Sequence, residues 1–541
     1  MHNGSELWNK RMALELETRT LSSGRIVETY RDLPESLYAA AARNAAIAPG
    51  KLAVSDDLGR SFSYRALLHA ADQAAYVLKR RFGVKKGSHV ALMIHASTEF
   101  AILFLALVKL GAVAVMLPTK YRRPEIRALA ERADLDFVIC DTDYEDYFAA
   151  ERERGLPVIT YHAQKETFGL AAFLQENCPD EPPQGGAEDV SVMMFTSGTT
   201  SQSKGVLLTN LALMHAAATY QKLFSITAED STVLPVPIYM ITGLSALFGT
   251  LLFAGGSVYF QKLFCAREVL RCIEEKQVTF LHAAPTVYAL LLAEKERFPK
   301  LESLRCAACG GGWSSRQLEQ AMHEWLPGCE FRTVYGMTET ASPATVLPED
   351  AAKSPHAQSN GTPIPGLCMK ICGPDGEELG FGQTGEILMQ GANLLSGYYR
   401  LETPLYRNGW LHTGDLGYLT GDGYCYVVDR VKDMINRGGE KIVSSDVEKA
   451  LLDIKGIEEA AAGGIPHAIY GEAPAALVKC TPDAVWNEES LRTALKSRIA
   501  GYKIPAQIRF TEKIPLTPNG KYDKKAIRNL FRQQTGAERQ E

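Results

Sequence analysis

The segment Phe195-Thr196-Ser197-Gly198-Thr199-Thr200-Ser201-Gln202-Ser203-Lys204-Gly205 gathers hydroxyls, small side chains and one ammonium into a single turn. An apolar run, Val190–Phe195, precedes it and reads as a strand; Val206-Leu207-Leu208 follows it. A concave set of N–H and O–H donors with one lysine suits the oxygens of a polyphosphate. A plain Ser/Thr linker would need neither flanking apolar run. The turn is not a Walker loop, because no Gly-Lys-Ser/Thr stands at the required spacing.

Four further segments carry groups of the same chemical kind. They are Tyr335-Gly336-Met337-Thr338-Glu339, Thr413-Gly414-Asp415, Asp429-Arg430-Val431-Lys432-Asp433 and Pro518-Asn519-Gly520-Lys521. With the Ser/Thr turn, their order and spacing resemble the adenylate-forming enzymes: acyl- and aryl-CoA synthetases, beetle luciferases and the adenylation domains of peptide synthetases. The resemblance runs from about residue 30 to 530, and a fatty-acyl- or aryl-CoA synthetase is the best match within it.

The resemblance implies ATP, Mg²⁺ and coenzyme A as reaction partners, and a carboxylate that attacks the α-phosphate and expels pyrophosphate. Two anions must meet in that step, so cations and hydrogen-bond donors are needed around them. Thr196, Ser197, Gly198, Thr199, Thr200 and Lys204 are then expected at the phosphates. Thr338 offers a hydroxyl to the α-phosphate, and Glu339 offers a hard oxygen to Mg²⁺. Asp415 can accept from ribose hydroxyls, and Arg430 keeps a permanent charge near ribose and phosphate. Tyr335, Gly336 and Met337 belong to the same nucleotide set. Cys309-Gly310-Gly311-Gly312-Trp313 matches the turn that lies against adenine, where glycines let backbone approach a flat ligand. Lys521 matches the catalytic lysine of the adenylation step.

For the second half-reaction, Gly438 and Gly439 match a turn lining the pantetheine tunnel, and Lys432 matches the hinge of a rotating C-terminal domain. One site must first present Lys521, then withdraw it and admit a thiol. The chain departs from the family pattern at Ser201 and Ser203, where Gly and Pro are usual, so the turn loses a φ-permissive and a stiffening residue. In the acyl-pocket segment Pro237–Leu244, Met240 replaces an aromatic or His, and Ile241 stands where hydroxybenzoate-activating relatives carry Asn. With Gly243, Cys309 and Met337 these residues imply an apolar, pliable pocket for a fatty or aryl acid.

The elements that must position these groups alternate. Pro34–Ala46 reads as a helix and Lys51–Ser55 as a strand; Ser63 caps a long amphipathic helix, and His89–Ile94 is the next strand. The apolar run Phe100–Leu117 is broken by Lys109 and Gly111. It reads as a buried helix at about 98–110 and a strand, Val113–Leu117, rather than a membrane span. Phe137–Cys140, Val190–Phe195, Val278–Ala283, Leu304–Cys309 and Glu330–Tyr335 are further strands. Strand–helix–strand units at this spacing give mostly parallel, buried sheets. From about residue 367, Pro374-Asp375-Gly376 and Gly421-Asp422-Gly423 punctuate short β runs of a more antiparallel subdomain.

The expected fold is α/β. A polar, loosely attached lead-in spans 1–29, and a large N-terminal domain of parallel-sheet subdomains plus a β subdomain spans 30–429. A hinge at 430–432 leads to a small mobile α/β C-terminal domain, 433–541.

Composition bounds the alternatives. The 541 residues are 46% hydrophobic and 22% charged, with a formal net charge of −5, which fits a soluble globular protein and argues against a polyanion binder. The 11 cysteines are scattered and odd in number, and Met1-His2-Asn3-Gly4 has no charged start before an apolar core. Reduced thiols in the cytosol are expected. The pairs Cys306/Cys309 and Cys368/Cys372 sit in apolar strand-like runs and read as core residues rather than zinc ligands. No nucleic acid and no transmembrane segment are expected. Two rivals remain: an acyl-AMP ligase that loads a carrier-protein phosphopantetheine, and a nucleotide-binding regulator without catalysis.

Overall fold

The most apolar stretch of the chain folds as a helix, Thr98–Leu110, with every residue buried. Ser97 caps it by accepting from Phe100 N at 3.2 Å, and Gly111 ends it with φ +66°. Its two charges are paired: Glu99 in the first turn with Arg60, and Lys109 in the last turn with Asp72 at 2.7 Å. Negative charge at the N-terminus and positive charge at the C-terminus also suit the helix dipole. The strand that follows, Val113–Met116, is buried throughout.

These coordinates are a computed structural model that describes residues 1–161, 178–179, 181–196, 203–356, 358–402, 406–407, 409–431, 433–437, 440–467, 469–517 and 522–535. The chain divides into two compact units. The first comprises Met1–Met369, Met389–Leu411 and Asp422–Cys425; the second comprises Lys370–Leu388, His412–Gly421 and Tyr426–Glu541.

Three α/β sheets build the first unit. The largest has seven strands, in the order Gly397–Tyr398, Lys204–Thr209, Val190–Thr196, Val113–Met116, His89–Met93, Phe137–Asp141 and Val158–Tyr161. Its last five strands are parallel and its first two antiparallel to their neighbours. A second sheet pairs Ser231–Val233, Ser257–Phe260 and Leu52–Asp56 in parallel and adds Ser61–Ser63 antiparallel. In the third, Phe280–Ala283, Cys306–Gly310 and Glu330–Tyr335 run parallel, followed by the antiparallel Thr345–Val346 and Thr362–Pro363. The expected βαβ units are therefore present. Ser63 caps the helix Tyr64–Phe82, accepting from Ala66 N at 3.3 Å. Between residues 367 and 430 every regular element among the described residues is a strand.

Residues 1–30 correct the expectation of a loose lead-in. His2 and Asn3 pair antiparallel with Met369 and Cys368. Trp8 is 3% exposed and donates its indole N–H to Pro363 O at 2.9 Å. The hairpin Leu16–Thr20/Ile26–Tyr30 buries Val27, Thr29 and Tyr30. Thr29 Oγ1 and Pro365 O lie 3.0 and 2.9 Å from the two ring nitrogens of the fully buried His215. A few well-placed large side chains anchor a segment whose average composition is polar.

In the second unit, Ile457–His467 and Gly471–Cys480 form a long antiparallel pair, with Ile435–Arg437, Glu440–Ile442 and Gln507–Phe510 completing the sheet. Strand alternation sorts its side chains. Ala460, Ala462, Ala476 and Val478 pack with Val447 and Leu451 of the helix Ser444–Leu452. Ala461, Ala475 and Leu477 pack with Ile527 and Phe531 of the helix Lys524–Thr535. No helix among the described residues is long and apolar enough to cross a membrane.

Candidate active site

The Ser/Thr turn connects two antiparallel strands, in which Thr196 is the cross-strand partner of Lys204. Ser197, Gly198, Thr199, Thr200 and Ser201 lie outside the described residues. Arg132 Nη1 donates to Ser203 O at 3.0 Å at the far side of the turn. Lys204 is half-buried, and its ammonium lies 5.2 Å from the ring centroid of Tyr398. The Tyr398 hydroxyl donates to Glu339 Oε1 at 3.0 Å. Burial, then the neighbouring carboxylate, pushes the Tyr398 phenol far up, so it remains a donor. One buried tyrosine thus connects the lysine of the phosphate turn to the acid expected to hold the metal.

The acidic turn is built from backbone constraints. The strand Glu330–Tyr335 ends at Gly336, where a Cβ would stand 1.6 Å from Ser342 O, so only glycine fits. Thr338–Thr340 form one short helical turn, after which Ala341 and Ser342 take φ of +50° and +108°. Such conformations persist only where neighbours hold them. Thr340 Oγ1 accepts from Met337 N at 3.1 Å. The fully buried Asn393 donates to Thr340 O at 2.8 Å and to Pro343 O at 2.7 Å, and Leu395 N donates to Glu339 O at 2.8 Å. Thr338, Glu339, Tyr335 and Met337 are left half-buried.

The glycine turn follows the strand Cys306–Gly310, which neighbours Glu330–Tyr335. A Cβ on Gly310 would stand 2.6 Å from Val334 O; Gly311 has φ +78° with open space where its side chain would be; Gly312 abuts Pro285. Cys309, expected in the acyl pocket, is corrected to a core residue. It is 2% exposed, its thiol lies beside Ser314, and burial pushes its pKa far up. Alternation along the strand puts it on the face opposite to Gly310. In the segment Pro237–Leu244, Ile238 is buried while Met240 and Ile241 stay half-buried, and a Cβ on Gly243 would meet Pro237 O at 2.5 Å.

In the second unit, Arg430 Nε and Asp415 Oδ1 are 3.0 Å apart, with the Asp415 side chain 5% exposed. Gly414, with φ +72°, accepts at its carbonyl from Val431 N at 2.9 Å. Thr413 Oγ1 donates to Ile387 O at 2.8 Å and accepts from Asp415 N at 3.1 Å. Asp429 accepts from the N–H and hydroxyl of Ser444 and so caps the helix Ser444–Leu452. Lys432, Gly438, Gly439 and Lys521 lie outside the described residues; Arg437 and Glu440, flanking the two glycines, are cross-strand partners.

The structure thus gathers Lys204 and Glu339 in the first unit and Asp415 and Arg430 in the second. Sequence reasoning missed Tyr398 and Asn393, which lie 59 and 53 residues from the groups they serve. Glu339 supplies a carboxylate already oriented by a hydroxyl and fits a hard divalent cation.

Residues 41–399 match the family described as AMP-binding enzyme, and residues 446–521 match the AMP-binding enzyme C-terminal domain. A feruloyl-CoA synthase from an Amycolatopsis species is 30% identical over 500 residues, covering 90% of this chain and 98% of its own. Among solved structures, ATP-bound MatB from Rhodopseudomonas palustris superposes with a TM-score of 0.85 at 28% identity, covering 92% of this chain and 99% of its own. O-succinylbenzoate coenzyme A synthetase from Bacillus subtilis, in complex with ATP and magnesium ion, gives 0.79 at 29% identity, covering 91% and 98%.

Proposed function

The chain belongs to the AMP-binding enzymes and is of the AMP-forming acid–CoA ligase kind, and from that premise we propose that it activates an acid with an apolar alkyl or aryl body and passes the acyl group to coenzyme A. In the first step a carboxylate oxygen forms a bond to the α-phosphorus of ATP as the bond to pyrophosphate breaks. In the second, the sulfur of CoA bonds to the acyl carbon and AMP leaves.

Thr196 and Lys204 neutralise and orient the phosphates, and the Thr338 hydroxyl donates to the α-phosphate oxygen. Glu339, oriented by Tyr398, would hold Mg²⁺, which when bound supplies charge neutralisation between the phosphates. Gly310, Gly311 and Gly312 leave room for the adenine face. Asp415, paired with Arg430, accepts from the ribose hydroxyls. Lys521 serves the adenylation step. Lys432 as pivot then lets the C-terminal domain, 433–541, withdraw that lysine and bring Gly438 and Gly439 to the thiol. Met240, Ile241 and Met337 give the acyl body an apolar, adaptable surface. The cysteine usage of the chain supports a reducing, cytosolic setting.

The observation that carries this reading is the Lys204–Tyr398–Glu339 connection, which joins the cation proposed for the phosphates to the acid proposed for the metal. The experiment is ATP–pyrophosphate exchange over a panel of acids, followed by product analysis with free CoA and with a holo carrier protein. Acid-dependent exchange with thioester on free CoA is expected. Product only on the carrier would make the chain an acyl-AMP ligase, and no exchange with any acid would make it a nucleotide-binding regulator.

A further inference from the structure

Ser203 stands directly before Lys204 and, unlike a proline, sets no φ of its own. Its backbone is held from outside. The helix Arg123–Ala133 lies against the seven-stranded sheet, where Leu129 and Ala133 share one buried cluster with Met193, and Leu207 packs on it. In the last turn of that helix the half-buried Arg132 donates from Nη1 to Ser203 O at 3.0 Å. The acids beside Arg132 in the chain are engaged elsewhere, Glu131 with Arg127 at 3.0 Å and Asp134 with Arg400 at 2.7 Å. A planar fork that could take a carboxylate is thus spent on a backbone oxygen.

The end of the same helix braces the other side of Lys204. Asp134, with φ +46°, accepts from the Tyr399 hydroxyl at 2.8 Å, and Tyr399 N donates to Gly205 O at 2.8 Å. Tyr399 Cβ lies 3.3 Å from the position of a Cβ on Gly205, so the two backbones are in close contact there. Lys204 therefore sits between two fixed carbonyls, that of Ser203 held by Arg132 and that of Gly205 held by Tyr399. Across the strand pair it faces Thr196, and its ammonium lies 5.2 Å from the Tyr398 ring centroid.

We propose that Arg132 is a positioning residue for ATP: its bond to the Ser203 carbonyl fixes the backbone entering Lys204, and with it the ammonium that meets the polyphosphate. The inference rests on the acid–CoA ligase reading and adds to it a residue outside the nucleotide-binding segments. Arg132 acts through Ser203 and Lys204, doing from a neighbouring helix what a proline ring at position 203 would do by fixing φ. A cation placed in advance is worth most where negative charge is densest. A nucleotide with three phosphates therefore depends on this brace, and one with a single phosphate depends on it little.

The test is equilibrium binding of ATP with Mg²⁺, and separately of AMP, to the full chain and its variants. Arg132→Met keeps the length of the side chain and removes the donor. It is expected to weaken ATP about tenfold and to leave AMP within about twofold of wild type. Ser203→Pro, which stiffens the same position without the guanidinium, is expected to return about threefold of the lost ATP affinity when combined with Arg132→Met. Unchanged ATP affinity in Arg132→Met overturns the inference. An equal loss for ATP and AMP does so too, because it marks a general defect of the fold. So does a loss that Ser203→Pro leaves in full, because Arg132 then acts by charge and not by bracing. Each of these leaves the ligase reading standing; a wild-type chain that binds neither nucleotide overturns both.

Discussion

Tyr398 donates its hydroxyl to Glu339 at 3.0 Å while the same ring carries the Lys204 ammonium 5.2 Å from its centroid. Hydrogen bonds to charged groups are the stronger kind. Tyr398→Phe keeps the ring and removes the donor. It is expected to raise the Mg²⁺ concentration needed for half-maximal pyrophosphate exchange and to lower kcat/KM for ATP by roughly tenfold. Tyr398→Ala also removes the ring beneath Lys204 and should fall further. Unchanged Mg²⁺ titration in Tyr398→Phe would detach Tyr398 from the metal site.

Gly336 and Gly311 both serve turns of the candidate site, yet they should respond differently to a methyl group. At Gly336 the new Cβ would stand 1.6 Å from a backbone oxygen, whereas at Gly311 it would meet nothing within 4 Å. Gly311→Ala is expected to cost about 1 kcal/mol, the penalty of a positive φ. Gly336→Ala cannot be accommodated without moving the Ser342 backbone and should lose several-fold more stability. Denaturant unfolding of the two variants compares them directly, and similar midpoints would contradict the placement of Ser342 behind Gly336.

Asn393 satisfies two buried carbonyls, Thr340 O and Pro343 O. Asn393→Ala leaves both without that donor, at a cost of about 2–3 kcal/mol. The loss should appear in the unfolding free energy and as a fall in exchange activity, because the same turn carries Thr338 and Glu339. Wild-type stability in the variant would show that the turn does not depend on Asn393.

Glu319 lies on the helix Arg316–Trp325 and is 1% exposed, with Ser314 beside its carboxyl. Burial raises its pKa from 4.5 to about 7. The folded state therefore holds a proton that the unfolded state has released between those values, so this group makes stability fall as pH rises from about 4.5 to 7. Glu319→Gln has no such proton. Its stability relative to wild type is expected to grow across that window and level off above it. A difference independent of pH would mean that Glu319 titrates alike in both states.

Much of the first unit was legible because local rules and tertiary packing agree there. Ser63 is an N-cap in the sequence pattern and in the structure, and the interrupted run Phe100–Leu117 resolves into helix and strand at Gly111. The N-terminal segment was misread because its anchors, Trp8 to Pro363 and His2 to Met369, span more than 350 residues and leave no local periodicity. Tyr398 and Asn393 were missed for a related reason: a tyrosine or an asparagine in a loop carries no signal until a distant turn is brought against it. Cys309 was grouped with the apolar pocket residues, whereas strand alternation, readable from Cys306–Gly310 alone, puts it on the face opposite to Gly310.

In the proposed reaction one chain performs adenylation with Lys521 and then thioester formation without it. Measuring both half-reactions of Lys521→Ala separately tests it most directly. Acyl-adenylate formation from acid and ATP is expected to drop by at least about a hundredfold, while thioester formation from CoA and supplied acyl adenylate survives near the wild-type rate. Equal loss of both half-reactions would contradict the two-step account.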